Sequence, residues 1–412
     1  MLSGAALMSA LPHFLRALGG RNYRVYFAGQ CVSLLGNWMT TTAALWLAYH
    51  LSGSPLTVGM VAFASQIPVL VCAPFFGVWV DRVDSLQLVR WAQVLAMAQS
   101  AALAVFTFSG HMTVPLLLGL CFVQGFINAL DWPARQALVF RLAGDRAVLD
   151  NVIALNSITF NLCRLVGPAI GGLLIAAWGP GVVFALDAAS YLAVLAALAA
   201  VRLAPPVKRL RVAHPLVELR DAVRYAWAHP TIRRVLSVVP IIGLVGFAHT
   251  VLAPVFARDL FGGDARTLGF LLSATGAGSL AAGIWLSLGR SAEGMARVVA
   301  WGALIGGTGL AVMAAHSSLA LALVCYGAAG CGAALVMVPS NTILQSNVDD
   351  DKRGRVMALF TMGQSLYPVG SLLIGALAEG VGPKAAVAVC GVVCIATAAT
   401  FWRASADGRV RA

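Results

Sequence analysis

Long apolar runs, each closed by a short polar break, alternate along the whole 412-residue chain. Twelve of them reach the ~18 residues expected of a membrane-spanning helix. They fall at about 23–49, 56–80, 86–109, 113–135, 149–178, 181–203, 232–257, 266–289, 295–315, 317–343, 355–379 and 384–402. Most exceed the ~20 residues that cross a bilayer core, which predicts tilted helices or ends projecting into water. The pattern therefore predicts an all-α membrane protein with twelve transmembrane helices. The longest polar interruption, APPVKRLRVAHPLVELRDAVRYAWAHPT, occupies 204–231. Pro205 and Pro206 end the sixth run. Leu216, Leu219, Val223 and Trp227 then recur at helical spacing, with Arg220 and Arg224 on another face, which predicts an amphipathic helix on the inner leaflet.

That interruption divides the chain into an N-terminal six-helix bundle (1–203), a cytoplasmic linker (204–231) and a C-terminal six-helix bundle (232–412). The two bundles echo each other. GVWV at 77–80 and GIWL at 283–286 are 206 residues apart, and so are Pro133 and Pro339. LTVG at 56–59 and RTLG at 266–269 are offset by 210. Paired six-helix repeats are a transporter architecture, with the substrate site near mid-membrane between them.

Composition agrees: 60% of residues are hydrophobic and 11% charged, against ~25% charged in soluble chains. The formal charge of +12 would suit a nucleic-acid partner, but its distribution argues otherwise. With the N-terminus inside, 24 of the 28 Lys and Arg fall on the cytoplasmic side. Arg258, Arg266 and Lys384 fall outside, and Arg164 lies within a span. This positive-inside bias predicts both termini in the cytoplasm and makes the charge a topology signal, with the lipid bilayer as partner and no nucleic acid. Residues 1–12 have neither a basic leader nor an A-x-A site, so an interfacial start is expected rather than a cleaved signal. The eight cysteines lie in spans without a CxxC pair, so they read as packing residues, and no metal site is expected.

Polar groups inside spans must face other helices or a wet cavity. Gln30, Ser33, Asn37 and Thr41 share one face of span one. Gln124, Asn128, Asp131 and Arg135 share one face of span four. Either stripe lines a cavity or bonds helix to helix, and Asp131 with Arg135 is either a gate or a structural pair. Arg164 is central to span five and Asp187 lies six residues into span six. Central charges cost about 2.5–3.5 kcal/mol on insertion scales. Arg164 either pairs with Asp187, contacts an anionic substrate, or is structural. His249 either titrates or is a satisfied core histidine. The candidate substrate or cavity residues are Gln30, Asn37, Trp38, Thr41, Gln124, Asn128, Arg164, His249 and Gln364.

Several patches carry a family resemblance. GVWVDRVD (77–84) keeps Gly77, Asp81 and Arg82 of a G-x-x-x-D-R-x-G-R motif, with Asp84 and Ser85 where Gly and Arg are usual. GPAIGG (167–172) matches the end of an antiporter motif whose two earlier glycines fall here on Ala154 and Cys163. LLGNWM (34–39), LSGSPLTVG (51–59), DWPARQA (131–137), NVIALNS (151–157) and RGRVMALF (353–360) follow in order. Over essentially its whole length the chain resembles the major facilitator superfamily, in the branch of enterobactin exporter-like and macrolide-efflux-like proteins.

The resemblance implies two pseudo-symmetric bundles, a bacterial inner-membrane location, a monomer, and export of a small amphiphilic molecule such as a siderophore or antibiotic, with import on the same scaffold as the alternative. A membrane enzyme or sensor would call for a carboxylate or His cluster in the spans, and none is present in the sequence. Gly167, Pro168, Gly171 and Gly172 become the span-five packing element. Asp81, Arg82, Asp131, Arg135 and Arg355 become the cytoplasmic gate, with Asp81 facing the start of span eleven when the inner side is closed. The antiporter Arg three positions before Gln124-Gly125 is replaced by Cys121, so a relay through it is not available. No Walker-type phosphate loop occurs. GAGSLA (276–281) has dinucleotide-motif letters but lies within a span. No cofactor is therefore expected, the proton motive force is the expected drive, and Asp187 is the proton-coupling candidate.

Overall fold

The structure, a computed structural model, describes residues 17–80, 82–143, 146–201, 203, 215–288, 294–350 and 352–406. Among them every regular element is a helix. Six long helices come first: α1 (Arg21–Ser52), α2 (Pro55–Val80), α3 (Ser85–Phe108), α4 (Val114–Ala143), α5 (Arg146–Trp178) and α6 (Pro180–Ala200). A short α7 (Pro215–Ala228) follows. Then come α8 (Pro230–Val245), α9 (Ala265–Ser287), α10 (Met295–Ala315), α11 (Leu319–Asn347), α12 (Arg353–Gln364), α13 (Tyr367–Val381) and α14 (Pro383–Ala406).

Eleven segments among the described residues are long and apolar enough to cross a membrane. The remaining expected span, α1, has 32 residues but is diluted by Gln30, Ser33, Asn37 and the threonines at 40–42. A helix of that length runs ~48 Å, beyond the ~30 Å hydrocarbon core, so its ends extend past the apolar layer.

Two expected spans are broken rather than continuous. The seventh leaves α8 for a 3-10 turn at Ala248–Leu252, one α turn at Ala253–Val255 and a π turn at Phe256–Leu260. The eleventh divides between α12 and α13 at Ser365 and Leu366. Pro254 lies within the first break and Pro368 follows the second, and each lacks a backbone N–H to give its turn. The breaks lie side by side. A Cβ on Gly243 would stand 2.5 Å from the Gly363 carbonyl oxygen, and the Thr250 and Tyr367 hydroxyls are 3.4 Å apart. Irregular backbone at membrane depth is tolerated where protein covers it.

The chain folds as two compact units: Met1–Leu47 with Ala64–Leu210, and Ala48–Phe63 with Arg211–Ala412. The second unit thus takes in the end of α1 and the start of α2. Tyr49 donates a hydrogen bond to Asp259, and Ser54 donates one of 2.8 Å to Glu379. A Cβ on Gly59 would stand 2.6 Å from the Ser371 carbonyl oxygen, so α2 meets α13 backbone to backbone.

Small residues set the helix spacing elsewhere, as lipid-embedded packing favours. In the second unit a Cβ on Gly302 of α10 would meet the Gly332 carbonyl of α11 at 2.8 Å, and one on Gly307 would meet the Gly391 carbonyl of α14 at 2.8 Å. In the first unit Gly29 of α1 lies against Ala193 and Ala197 of α6.

The expected amphipathic helix is α7. Ala222 and Ala226 face inward, whereas Val223 and Trp227 are 42% and 67% exposed. The side chains of Leu216 and Leu219 lie outside the described residues, as do residues 1–16. Tyr225 ties α7 to the turn before α12: its hydroxyl donates to Asp349 at 3.0 Å, and the Lys352 ammonium lies 4.5 Å from its ring centre.

Candidate functional site

Polar side chains of the first unit gather where α1, α3, α4 and α6 meet. Asp187, Ser190 and Tyr191 share the buried face of α6 at i, i+3 and i+4. Asp187 is 1% exposed. Its Oδ2 accepts a 2.6 Å hydrogen bond from Ser100 of α3. Its Oδ1 has no hydrogen-bond partner among the described residues. Gly36 of α1 makes room for the carboxylate: a Cβ there would stand 2.5 Å from Asp187 Oδ1 and 3.0 Å from Ser190 Oγ. Gln99, beside Ser100, donates to the Leu120 carbonyl at 3.0 Å, which fixes α3 against α4.

A second cluster surrounds Asp131. Arg135, one turn on, donates through Nε to Oδ2 at 2.9 Å, and Gln93 of α3 donates to Oδ1 at 3.0 Å. Both carboxylate oxygens are therefore taken. Intramolecular hydrogen bonds to charged groups are worth about 1.5–3 kcal/mol each, so this cluster ties α3 to α4. Higher on α4, Gln124 donates to Asn128 at 3.0 Å. The residues of the expected α4 stripe are half-buried or buried: Gln124 bonds Asn128 and Arg135 bonds Asp131 within the helix, and Gln93 bonds Asp131 from the neighbouring α3.

Arg164 and Asp187 do not form the pair that sequence reasoning left open. Asp187 is held by Ser100, while the Arg164 guanidinium lies 5.9 Å from the centre of the Trp38 ring. Trp38 meets Phe160 edge to face, with ring centres 5.6 Å apart. Cation–π attraction of this kind contributes about 0.5–2 kcal/mol. The α5 glycines set that geometry. A Cβ on Gly167 would stand 2.6 Å from Trp38 Cβ, and one on Gly171 would stand 3.1 Å from Met39 Cα. Pro168 sits inside a continuous helix, and Gly172 is buried.

The other candidates are scattered. Gln30 and Asn37 are half-buried, Ser33 is buried, and Thr41 is exposed with its hydroxyl on the Asn37 carbonyl at 2.9 Å. His249 is 0% exposed in the 3-10 turn, with its ring centre 5.0 Å from that of Tyr326. Gln364 is exposed at the end of α12. Of the gate residues, Arg82 is exposed, and Arg355 lies 4.0 Å from Asp221 of α7. Asp81 lies outside the described residues.

Sequence reasoning missed Gln93, Ser100 and Tyr191, whose roles depend on helices far apart in the chain. It also counted Asp84 only as a departure from a motif. Asp84 caps α3, accepting from the Leu86 N–H at 3.0 Å, and pairs with Arg141 of α4 at 2.5 Å. An Asp just before an apolar helical run is a capping signal that could have found it.

Residues 15–407 match the MFS_3 family, described as transmembrane secretion effector. The chain belongs to that family. It is a multi-pass membrane transporter of the major facilitator type. It is 24% identical over 382 residues to the staphyloferrin A transporter of Staphylococcus aureus, covering 92% of this chain and 95% of that one. It is 26% identical over 359 residues to the multidrug efflux pump Tap of Mycolicibacterium fortuitum, covering 84% and 87%. Macrolide efflux protein A of Streptococcus pyogenes is 21% identical over 377 residues, covering 90% and 93%. Among solved structures, a POT family transporter in complex with a thioalcohol-conjugated peptide superposes with a TM-score of 0.74 at 14% identity, over 97% of this chain and 99% of that one. That likeness shows the fold.

Proposed function

We propose that this transporter exports a small amphiphilic molecule, a siderophore or a drug, across a bacterial inner membrane in exchange for protons. The observation that carries the reading is Asp187, a carboxyl group 1% exposed in a membrane helix with one oxygen left without a partner among the described residues. Ionisable groups at such depth are costly and mark ion pathways. One charge crossing 100 mV supplies about 2.3 kcal/mol, so one proton per cycle supports a tenfold gradient of a neutral substrate with some excess. No cofactor takes part in this cycle.

The substrate's apolar part meets Trp38 and Phe160, and its polar part meets Arg164, Gln124 and Asn128. The two six-helix halves alternate access by rocking, with Asp81, Arg82, Asp131, Arg135 and Arg355 at the cytoplasmic gate. The Lys and Arg distribution supports cytoplasmic termini, which sets α7 on the inner leaflet with Val223 and Trp227 toward lipid. The transporter works as a monomer. Outward direction is supported by the relatives named for efflux.

Efflux of a labelled siderophore and a labelled macrolide from cells with and without the gene, each with and without an uncoupler, tests the reading. Export predicts higher accumulation without the gene and loss of the difference with uncoupler. Lower accumulation without the gene would show import, and indifference to uncoupler would sink the proton drive.

A further inference from the structure

The two sides of α7 differ sharply. Ala222 and Ala226 are each 2% exposed, and Ala226 joins a core that Val348, Val356 and Phe360 also build. Arg220, Val223, Arg224 and Trp227 recur at i, i+3, i+4 and i+7, so they share the opposite side of the helix. All four are exposed. Neither Arg220 nor Arg224 makes an ion pair among the described residues. Asp221 faces Arg355 of α12 instead, at 4.0 Å. Only His229 separates α7 from α8, which opens a membrane-crossing segment at Pro230. The Trp227 end of α7 is therefore held at the membrane boundary. Arg233 donates to the Trp227 carbonyl at 3.4 Å and brings a further cation to that end. Water would leave the Val223 and Trp227 side chains without apolar contact, and lipid tails would strand two guanidinium groups. The headgroup layer suits both, since indole rings settle there and the guanidinium fork matches phosphate. A zwitterionic headgroup offers these cations no net charge, whereas an anionic one does.

We propose that this side of α7 is a docking surface for anionic phospholipid head groups, with Arg220 and Arg224 on the phosphates and Val223 and Trp227 at the acyl boundary. The proposal rests on the reading above that sets α7 on the inner leaflet. Its consequence runs through the rest of the helix. Tyr225 donates to Asp349 at 3.0 Å, its ring centre lies 4.5 Å from the Lys352 ammonium, and Asp221 faces Arg355. α7 thus holds the turn that opens α12, where the proposed gate residue Arg355 lies. Anionic lipid that pins α7 steadies the start of α12.

The test needs no substrate. The full chain, with a photoreactive benzoylphenylalanine at position 223, is reconstituted in equal parts phosphatidylglycerol and phosphatidylcholine, and lipid adducts are counted by mass spectrometry. Each arginine near a charged surface favours anionic lipid about fivefold, so phosphatidylglycerol adducts are expected to exceed phosphatidylcholine adducts severalfold. Arg220→Gln with Arg224→Gln is expected to bring the two lipids close to parity, and Arg220→Lys with Arg224→Lys to keep the preference. Equal adducts with the wild-type arginines, or a preference that survives both glutamines, overturns the docking surface. A preference abolished by inorganic phosphate but not by chloride at the same ionic strength overturns lipid as the occupant. No lipid adduct at all overturns the membrane placement of α7 beneath the proposal. The link to α12 has its own readout. Amide exchange across 353–360 is expected to slow when phosphatidylglycerol replaces part of the phosphatidylcholine, and to lose that response in the double glutamine variant. Unchanged exchange with the wild-type arginines overturns the link.

Discussion

Gly36 on α1 and Asp187 on α6 share one space: a Cβ on the glycine would stand 2.5 Å from the carboxylate oxygen that has no hydrogen-bond partner among the described residues. Close approach of the two helices and burial of the acid are one feature. Gly36→Ala is expected to push Asp187 aside or part the helices, at about 1–3 kcal/mol of overpacking. Thermal unfolding in detergent checks this, with Gly119→Ala as the comparison, since a Cβ there meets nothing within 4 Å.

Gly167 sets the position of Trp38 in the same way, with 2.6 Å left for a Cβ. Gly167→Ala is expected to displace the indole from the Arg164 guanidinium and weaken substrate binding, because the aromatic surface and the cation move apart. Tryptophan fluorescence during substrate titration reads both effects. An unchanged spectrum and affinity would show that the α5 glycine has slack the structure does not indicate.

Asp84 acts as helix cap and ion-pair partner at once. Asp84→Ala is expected to cost about 0.5–2 kcal/mol for the cap. The pair with Arg141 adds less than about 1 kcal/mol, since both side chains reach solvent. A double-mutant cycle with Arg141→Leu, read by chemical unfolding, separates the two contributions.

The spans were legible because apolar runs longer than ~18 residues have few other uses. Even α1, whose polar stripe lowers its apolarity, reads as such a run at 23–49. The breaks in the seventh and eleventh spans were less legible. Pro254 and Pro368 mark them, but Pro133, Pro168, Pro240 and Pro339 sit inside helices that continue, so proline alone does not decide. Asp187 was legible as a lone acid in an apolar run. Its partner was not: Ser100 is 87 residues away, and only the packing of α3 on α6 brings the two together. The same holds for Gln93 and Asp131, 38 residues apart.

Tyr225 is the main polar tie between α7 and the turn before α12, through Asp349. Tyr225→Phe removes a hydrogen bond worth about 0.5–1.5 kcal/mol. Amide hydrogen exchange across 215–228 is expected to speed up correspondingly, while exchange in α10 and α11 stays the same. Equal exchange in α7 would mean that the lysine–ring contact and packing alone hold it.

The most direct measurement of the central claim is transport in proteoliposomes by Asp187→Asn. A pH gradient and substrate exchange at equal pH are compared in one preparation, using the molecule that cells are found to export. Proton exchange through Asp187 predicts that the variant loses gradient-driven accumulation while exchange of labelled for unlabelled substrate continues. Accumulation at the wild-type level in Asp187→Asn, with the gradient as its only source of energy, would contradict the account.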